Sequence, residues 1–351
     1  MSYEDGWAAI NLEMPSRVPR TEYSAHYHWP LINATTGSNV SFDSCAEEQQ
    51  KASIAFVKEW NYGMMWSVLT GAGALAECCT NMGHAEYANG GVDRSDTISC
   101  PFSDPSEVVA FDPWEVYGKR DHATLVKEYN NHYDSQCQRW PDTVNMTGIY
   151  ISLMSGLIAI FGWDMLLMGM ADPEGAGTMA NRYASWIKQY FDALADSKAP
   201  CVMIHDDIVW TAGPFCSPDW YREYIFPNYH KLFEPLQDSG KKIIYTSDGD
   251  YTMFVDDIVD AGVNGFVMEP TTNMGFIAEK YGKTHAFIGN VDTRILLSGT
   301  RAAIRAEVER CMAIGKKHPG FFMAVGNHIP ANTPVENALY YNEVYEELSK
   351  R

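Results

Sequence analysis

Residues 242–292 read KIIYTSDGDYTMFVDDIVDAGVNGFVMEPTTNMGFIAEKYGKTHAFIGNVD. Three apolar runs stand in this stretch, at 242–245, 263–268 and 286–288. Each is too short for a helix and rich in Ile, Val or Phe, as a strand buried on both faces requires. Helical patterns separate the runs. Each run also ends in polar residues: Ser247-Asp248-Gly249-Asp250, then Glu269-Pro270, then Asn290-Val291-Asp292. Strands that alternate with helices in this way imply a parallel sheet.

The same unit extends outward in both directions. Further strand-like runs lie at 148–153, 201–204 and 321–325, followed by His205-Asp206-Asp207 after the second and Asn327-His328 after the third. Ser217-Pro218-Asp219 carries the start signal of a helix over 218–236 that Pro227 should kink. Thr300 opens a helix that Gly315 ends, and Thr333-Pro334-Val335-Glu336 reads as a capping box. Polar groups thus recur just past five successive strands, which in a (β/α)8 TIM barrel converge on one mouth, where that fold places its chemistry. Helix capping would also account for Asp206, Asp250 or Asp292. Residues 1–140 are irregular, with 95–113 reading as loop. The expected organisation is one barrel domain over 1–351, in which 1–140 carries an N-terminal extension and divergent first barrel units.

Composition bounds the function. The chain has 351 residues, 46% hydrophobic and 13% aromatic, and 26 Lys and Arg against 45 Asp and Glu give a formal charge of −19. No basic cluster is available to neutralise phosphates, so nucleic acid is not an expected partner. The uncharged run 143–163 is long enough to raise the question of a membrane span. Its Asn145, Gly148, Ser152, Ser155 and Gly156 favour a buried strand running into a buried helix instead. No membrane is expected as a partner. The start MSYEDGW has neither a basic nor an apolar leader segment, and the eight cysteines show no C-x-x-C, which reads as reduced thiols and a cytoplasmic location. Three aromatic or Met-rich stretches stand out. Trp163–Met170 has helical spacing and reads as core. Trp60–Trp66 and His26–Trp29 have loop-like neighbours and would line a pocket for a flat ring. His26 and His28 have strand spacing for metal, but no acid or Cys completes that set.

His205-Asp206-Asp207, Phe215-Cys216-Ser217-Pro218-Asp219-Trp220-Tyr221-Arg222 with Pro227-Asn228-Tyr229, Thr246-Ser247-Asp248-Gly249-Asp250, Gly289-Asn290-Val291-Asp292-Thr293-Arg294 and Thr333-Pro334-Val335-Glu336-Asn337 occur in that order. Over about 145–350 these motifs resemble the uroporphyrinogen decarboxylase superfamily, whose fold is a (β/α)8 barrel. The superfamily includes porphyrinogen decarboxylases and cobalamin-linked methyltransferases. The decarboxylases carry an N-terminal M-R-Q-A-G-R segment whose arginines grip substrate carboxylates. Here the region reads Arg17-Val18-Pro19-Arg20-Thr21-Glu22-Tyr23, so that segment is absent. The thiol-directed methyltransferases hold zinc with an H-x-C pair and a later Cys. Thr246-Ser247-Asp248 and Asn327-His328 occupy those places.

The departure resembles the first methyltransferases of aryl O-demethylase systems. The resemblance implies transfer of a methyl group from a methoxylated aromatic to the Co(I) of cobalamin on a separate corrinoid protein. Zinc or a protein acid would activate the leaving oxygen. Asp207, Asp248, Glu269 and His328 are the expected catalytic residues, with Asp248, Glu269 and His328 as an O/O/N zinc set. Asn290, Asp292 and Asn327 are expected to bind cofactor, and His205 reads as a satisfied histidine beside a strand. A homodimer is one assembly this reading allows. The alternatives are a decarboxylase of the porphyrinogen type, a methyltransferase using a methylamine, betaine or thiol donor, and a catalytically silent binding protein.

Overall fold

The computed structural model describes residues 2–81 and 98–351. Its strands are β1 (Thr147–Ile149), β2 (Cys201–His205), β3 (Val209–Trp210), β4 (Gly213–Pro214), β5 (Lys242–Ser247), β6 (Gly265–Met268), β7 (Ala286–Val291) and β8 (Phe321–Val325). Six of them form one parallel sheet in the order β1-β2-β5-β6-β7-β8, while β3 and β4 make a small antiparallel ribbon after β2. Helices cross between successive sheet strands, the longest being Pro173–Ala195, so the alternation read from the sequence is the architecture. Among the described residues no helix is long and apolar enough to cross a membrane.

Two N-terminal segments complete the ring. Arg20 bridges in parallel to Met323 of β8 on one side and to Tyr62 on the other, and Met64 bridges to Val144 just before β1. Thr21 N–H donates to Met323 O at 3.1 Å, Gly63 N–H to Arg20 O at 2.8 Å, and Met65 N–H to Val144 O at 2.9 Å. These two segments and the six strands occupy eight positions, which makes a closed (β/α)8 barrel. The N-terminal helix Ser2–Ile10 packs against this seam, where a Cβ on Gly6 would stand 2.0 Å from Gly63 O.

The seam holds a buried charge pair. Arg20 and Glu22 are fully buried and 2.9 Å apart. Glu22 also accepts from the Val325 backbone N–H at 3.0 Å and the Tyr341 hydroxyl at 2.7 Å. The Arg20 guanidinium lies over the rings of Trp60, Tyr345 and Tyr341 at 4.2, 4.4 and 4.9 Å. Paired and hydrogen-bonded in this way, the charges are tolerated in the interior, and they tie the first segment to β8 and to the C-terminal helix Val335–Leu348.

The barrel interior is a discrete apolar cluster. It contains Met64, Trp66, Val144, Met146, Cys201, Met203, Ile244, Val267, Ile288, Phe322 and Ala324, with Ala9 and Ile10 from the N-terminal helix. The spacing of two within each strand is that of one sheet face. The uncharged run 143–163 is β1 followed by the helix Met154–Gly169, as expected, although β1 ends at Ile149 rather than 153 because the Ser152 hydroxyl turns back to Ile149 O.

Several local expectations change. The stretch 95–113 is not all loop: Pro105–Ala110 is helical, with Asp104 and Glu107 forming a capping box, and a second helix starts at Pro113 (95–97 lie outside the described residues). The box expected at Thr333–Glu336 does not form, because Pro334 is the N-cap and Thr333 N–H is drawn to Pro330 O. Pro227 does mark a break: a π-turn over Tyr221–Ile225 precedes the helix Phe226–Asp238, placing Pro227 in its first turn. Trp60–Trp66 is barrel wall rather than loop, with Trp60, Tyr62, Met64 and Met65 buried. His26–Trp29 is a 3-10 turn entering a helix, and the buried His28 accepts from Leu31 N–H at 3.2 Å to cap it.

Candidate active site

The face that forms the barrel core continues past the strand ends as polar residues. Counting by two from Met203 reaches His205 and Asp207; from Ile244, Thr246 and Asp248; from Val267, Glu269; and from Ala324, Gly326 and His328. These residues, with Tyr23, line one cleft at the carboxyl ends of the strands. Asp207, which is not among that lining, reaches it through its contacts with His205 and Asp248. The residues of opposite parity serve structure. Asp206 is fully buried and accepts from the Leu153 and Ser155 backbone N–H groups at 3.1 and 2.7 Å, which places its carboxylate at the start of the helix Met154–Gly169. It also accepts from the Tyr229 hydroxyl at 2.5 Å. Its capping role, one of the two readings open from sequence, is the one observed.

Among the described residues, the group whose ligand atoms lie within 4.8 Å of one another is His205, Asp207 and Asp248. His205 Nε2 is 3.3 Å from Asp207 Oδ1. The same oxygen accepts the Asp248 backbone N–H at 2.9 Å, and Asp207 N–H donates to Ser155 Oγ at 2.7 Å. The buried His205 ring stacks on Tyr150 with centroids 3.9 Å apart and planes 11° from parallel. Three side chains from two strands are thus fixed around one point.

Glu269 sits beside this group with both oxygens engaged. Oε2 accepts from Gly249 N–H at 2.8 Å and Oε1 from Asn327 Nδ2 at 2.8 Å. Gly249 itself has φ +79°, and a Cβ there would stand 2.4 Å from Trp210 O, so the turn after Asp248 is clamped under the β3–β4 ribbon. Asp248 is held well above the usual carboxylate range by burial first, then by the charges of Asp207 and Glu269. Among the described residues, no Lys or Arg lines the cleft. Tyr23 is half-buried, stacks on Trp66 at 5.3 Å and 18°, and meets the His328 ring edge-on at 5.5 Å. Burial, with Asp248 and Asp207 as neighbours, pushes its phenol upward, so it remains a hydrogen-bond donor.

The expected residues are therefore only partly brought together. Asp207 and Asp248 are at the centre, and Glu269 and His328 line the same cleft, but the close donor set contains His205 in place of those two. Reading His205 only as a satisfied histidine overlooked its parity with Met203, which marks it as inward-facing. Tyr23 has the same signal, two residues beyond Thr21, but the strand it follows is too short to read from sequence. Asn290 is occupied elsewhere: its Nδ2 donates to Glu269 O and Thr272 O, and its Oδ1 accepts from Arg310. Asp292 caps the helix Thr293–Ser298 and pairs with Arg294. Asn327 braces Glu269 and accepts the His328 N–H at 2.8 Å. All three cofactor-binding expectations thus fall on residues with structural partners.

The His/Asp/Asp set suits zinc, which takes imidazole nitrogen and carboxylate oxygen and retains Lewis acidity with such ligands. A cation would also relieve the crowding of carboxylates that raises Asp248.

Comparison with known proteins agrees with this architecture. Residues 152–348 match the family model described as Uroporphyrinogen decarboxylase (URO-D). The uroporphyrinogen decarboxylase of Carboxydothermus hydrogenoformans is 27% identical over 177 residues, covering 50% of this chain and 49% of that protein. That of Geobacter sulfurreducens is 26% identical over 184 residues, 52% of each. The chain thus spans about half the length of the curated relatives it matches. Among solved structures, a methyltransferase from Methanosarcina mazei superposes with a TM-score of 0.64 at 16% identity, covering 99% of this chain and 98% of that one.

Proposed function

The chain belongs to the uroporphyrinogen decarboxylase family, and from that premise we propose that it is a methyltransferase of the family rather than a porphyrinogen decarboxylase. In this reading it moves a methyl group from a methoxylated aromatic to the Co(I) of a separate corrinoid protein. The observation that carries the reading is the charge of the cleft. Its lining offers Asp248 and Glu269, with Asp207 in contact with Asp248, and among the described residues no Lys or Arg. The two arginines of the N-terminal segment are committed elsewhere, Arg17 to Glu346 at 2.8 Å and Arg20 to Glu22. A substrate bearing several carboxylates would meet like charge without a compensating cation. An aryl methyl ether is neutral, and its difficulty lies in the departing oxygen.

The residues present answer that difficulty. His205, Asp207 and Asp248 would hold zinc, which supplies Lewis acidity toward the oxygen as negative charge develops on it. Without metal, Asp248, whose protonated form is favoured by burial and by its acidic neighbours, would present a proton in the same place. Glu269, braced by Gly249 and Asn327, fixes the turn that carries Asp248. The Tyr23 ring in the cleft wall, backed by Trp66, suits a flat ring, and orientation supplies much of the remaining rate.

The test is to incubate the full chain with a reduced corrinoid protein and a panel of methoxybenzenes, methylamines and betaines. Methylcobalamin, followed by visible absorbance, is expected from the methoxybenzenes. No conversion with any donor would sink the methyl-transfer reading, and conversion only from amines or betaines would sink the ether assignment. In parallel, zinc content should be stoichiometric and fall in His205→Ala and Asp248→Ala. Unchanged zinc in both variants would remove the proposed ligand set.

A further inference from the structure

We propose that Tyr23 is the specificity-determining residue of the cleft: the surface against which an aromatic donor ring lies, with its hydroxyl donating to the oxygen attached to that ring. This rests on the reading above and narrows it to a residue outside the metal-ligand set. Tyr23 stands at the end of the first barrel segment, where Thr21 Oγ1 donates to Met64 O at 2.8 Å and fixes the backbone. Its ring has one face covered by Trp66, at 5.3 Å and nearly parallel, and an edge contact with His328 at 5.5 Å. Trp66 belongs to the apolar interior, so the stack is anchored in the barrel core. Tyr23 lines the same cleft as Asp248 and Glu269. The hydroxyl lies 3.8 Å from Met203 Sδ and is hydrogen-bonded with the Thr246 side chain, which holds it at the cleft, where a ligand oxygen would accept its proton in place of the weak sulfur acceptor. A rigid ring and a donor of this kind discriminate planar aromatic ethers from saturated ones of equal size.

Binding separates this proposal from the reaction itself. The full chain, metal-free and zinc-supplemented, is titrated with methoxybenzene, methoxycyclohexane and phenol, and affinities are read by calorimetry. Wild type should prefer methoxybenzene to methoxycyclohexane. Tyr23→Leu should weaken methoxybenzene about tenfold and abolish that preference. Tyr23→Phe, which keeps the ring but loses the donor, should retain the preference for methoxybenzene over methoxycyclohexane yet bind methoxybenzene and phenol each about fivefold more weakly, the loss of one hydrogen bond. Thermal unfolding of each variant establishes that it is folded. Wild-type affinity and preference in folded Tyr23→Leu would overturn the proposal, as would a wild type that does not distinguish the two ethers. Ring binding without methyl transfer would refute the reaction and leave the subsite standing. Methyl transfer without ring selectivity would do the reverse.

Discussion

Asp248 shares its surroundings with Asp207 and Glu269, and little water reaches the three carboxyls. Bringing like charges together in a half-buried cleft destabilises the fold and suits a site that receives a cation or delivers a proton. Asp248→Asn is therefore expected to lower methyl transfer about 100-fold or more. Stability in thermal unfolding should stay equal or rise by about 1 kcal/mol, because the residue's burden is functional. A variant that loses stability and keeps activity would assign Asp248 a structural role. A second titrating residue acts on folding. The His26 ring is pushed down to about 3 from its ordinary 6.5, by burial first and then by Arg139 and His328. Above pH 6.5 it is neutral whether the chain is folded or not. Below 6.5 only the unfolded chain takes up the proton, so stability falls as the pH drops toward 3. Between pH 7.5 and 5 wild type should lose about 2 kcal/mol more than His26→Gln, measured by denaturant unfolding at each pH. Parallel losses in the two proteins would contradict this.

At the scale of elements, the seam between the first barrel segment and β8 depends on the Arg20–Glu22 pair and its aromatic cage. Glu22→Gln leaves a buried guanidinium uncompensated and should cost about 3–5 kcal/mol in denaturant unfolding. A loss below about 1 kcal/mol would show that the rings and Asn342, whose Oδ1 accepts from the guanidinium, hold Arg20 unaided. This seam also marks what the sequence could and could not reveal. The six strands of the parallel sheet are legible because each is an apolar run bounded by turn residues and separated by helices, whereas the ribbon β3–β4 is too short to read. The closing segments at 18–22 and 62–66 are not legible, because they join the barrel through single bridges and contain Arg20 and Glu22, whose burial only the fold explains. The site followed the same division. Asp207, Asp248, Glu269 and His328 were found by their place after strands. The parity that marks them also marks His205, whereas the hydrogen bonds by which Asn290 and Asp292 serve β7 and the helix after it are not readable from sequence. The short helix Pro105–Ala110 went unread within a loop-like stretch, yet Asp104-Pro105-Ser106-Glu107 carried its start signal.

At the scale of the molecule, a charge of −19, a barrel with an acidic mouth and N-terminal arginines turned into the wall form one pattern. The family fold is retained, and among the described residues the cleft lining carries no Lys or Arg, which is the ground for proposing a neutral donor. Met and aromatic residues divide between the two tasks: Met64, Met146 and Met203 fill the barrel, and Tyr23 on Trp66 forms the cleft wall. The most direct measurement uses methoxybenzene carrying a 13C-labelled methyl group, incubated with the full chain and a reduced corrinoid protein and followed by NMR. The labelled methyl should appear on cobalt as phenol appears in solution, one for one. Intact methoxybenzene after many enzyme equivalents of time, while uroporphyrinogen offered to the same preparation loses carbon dioxide, would contradict it.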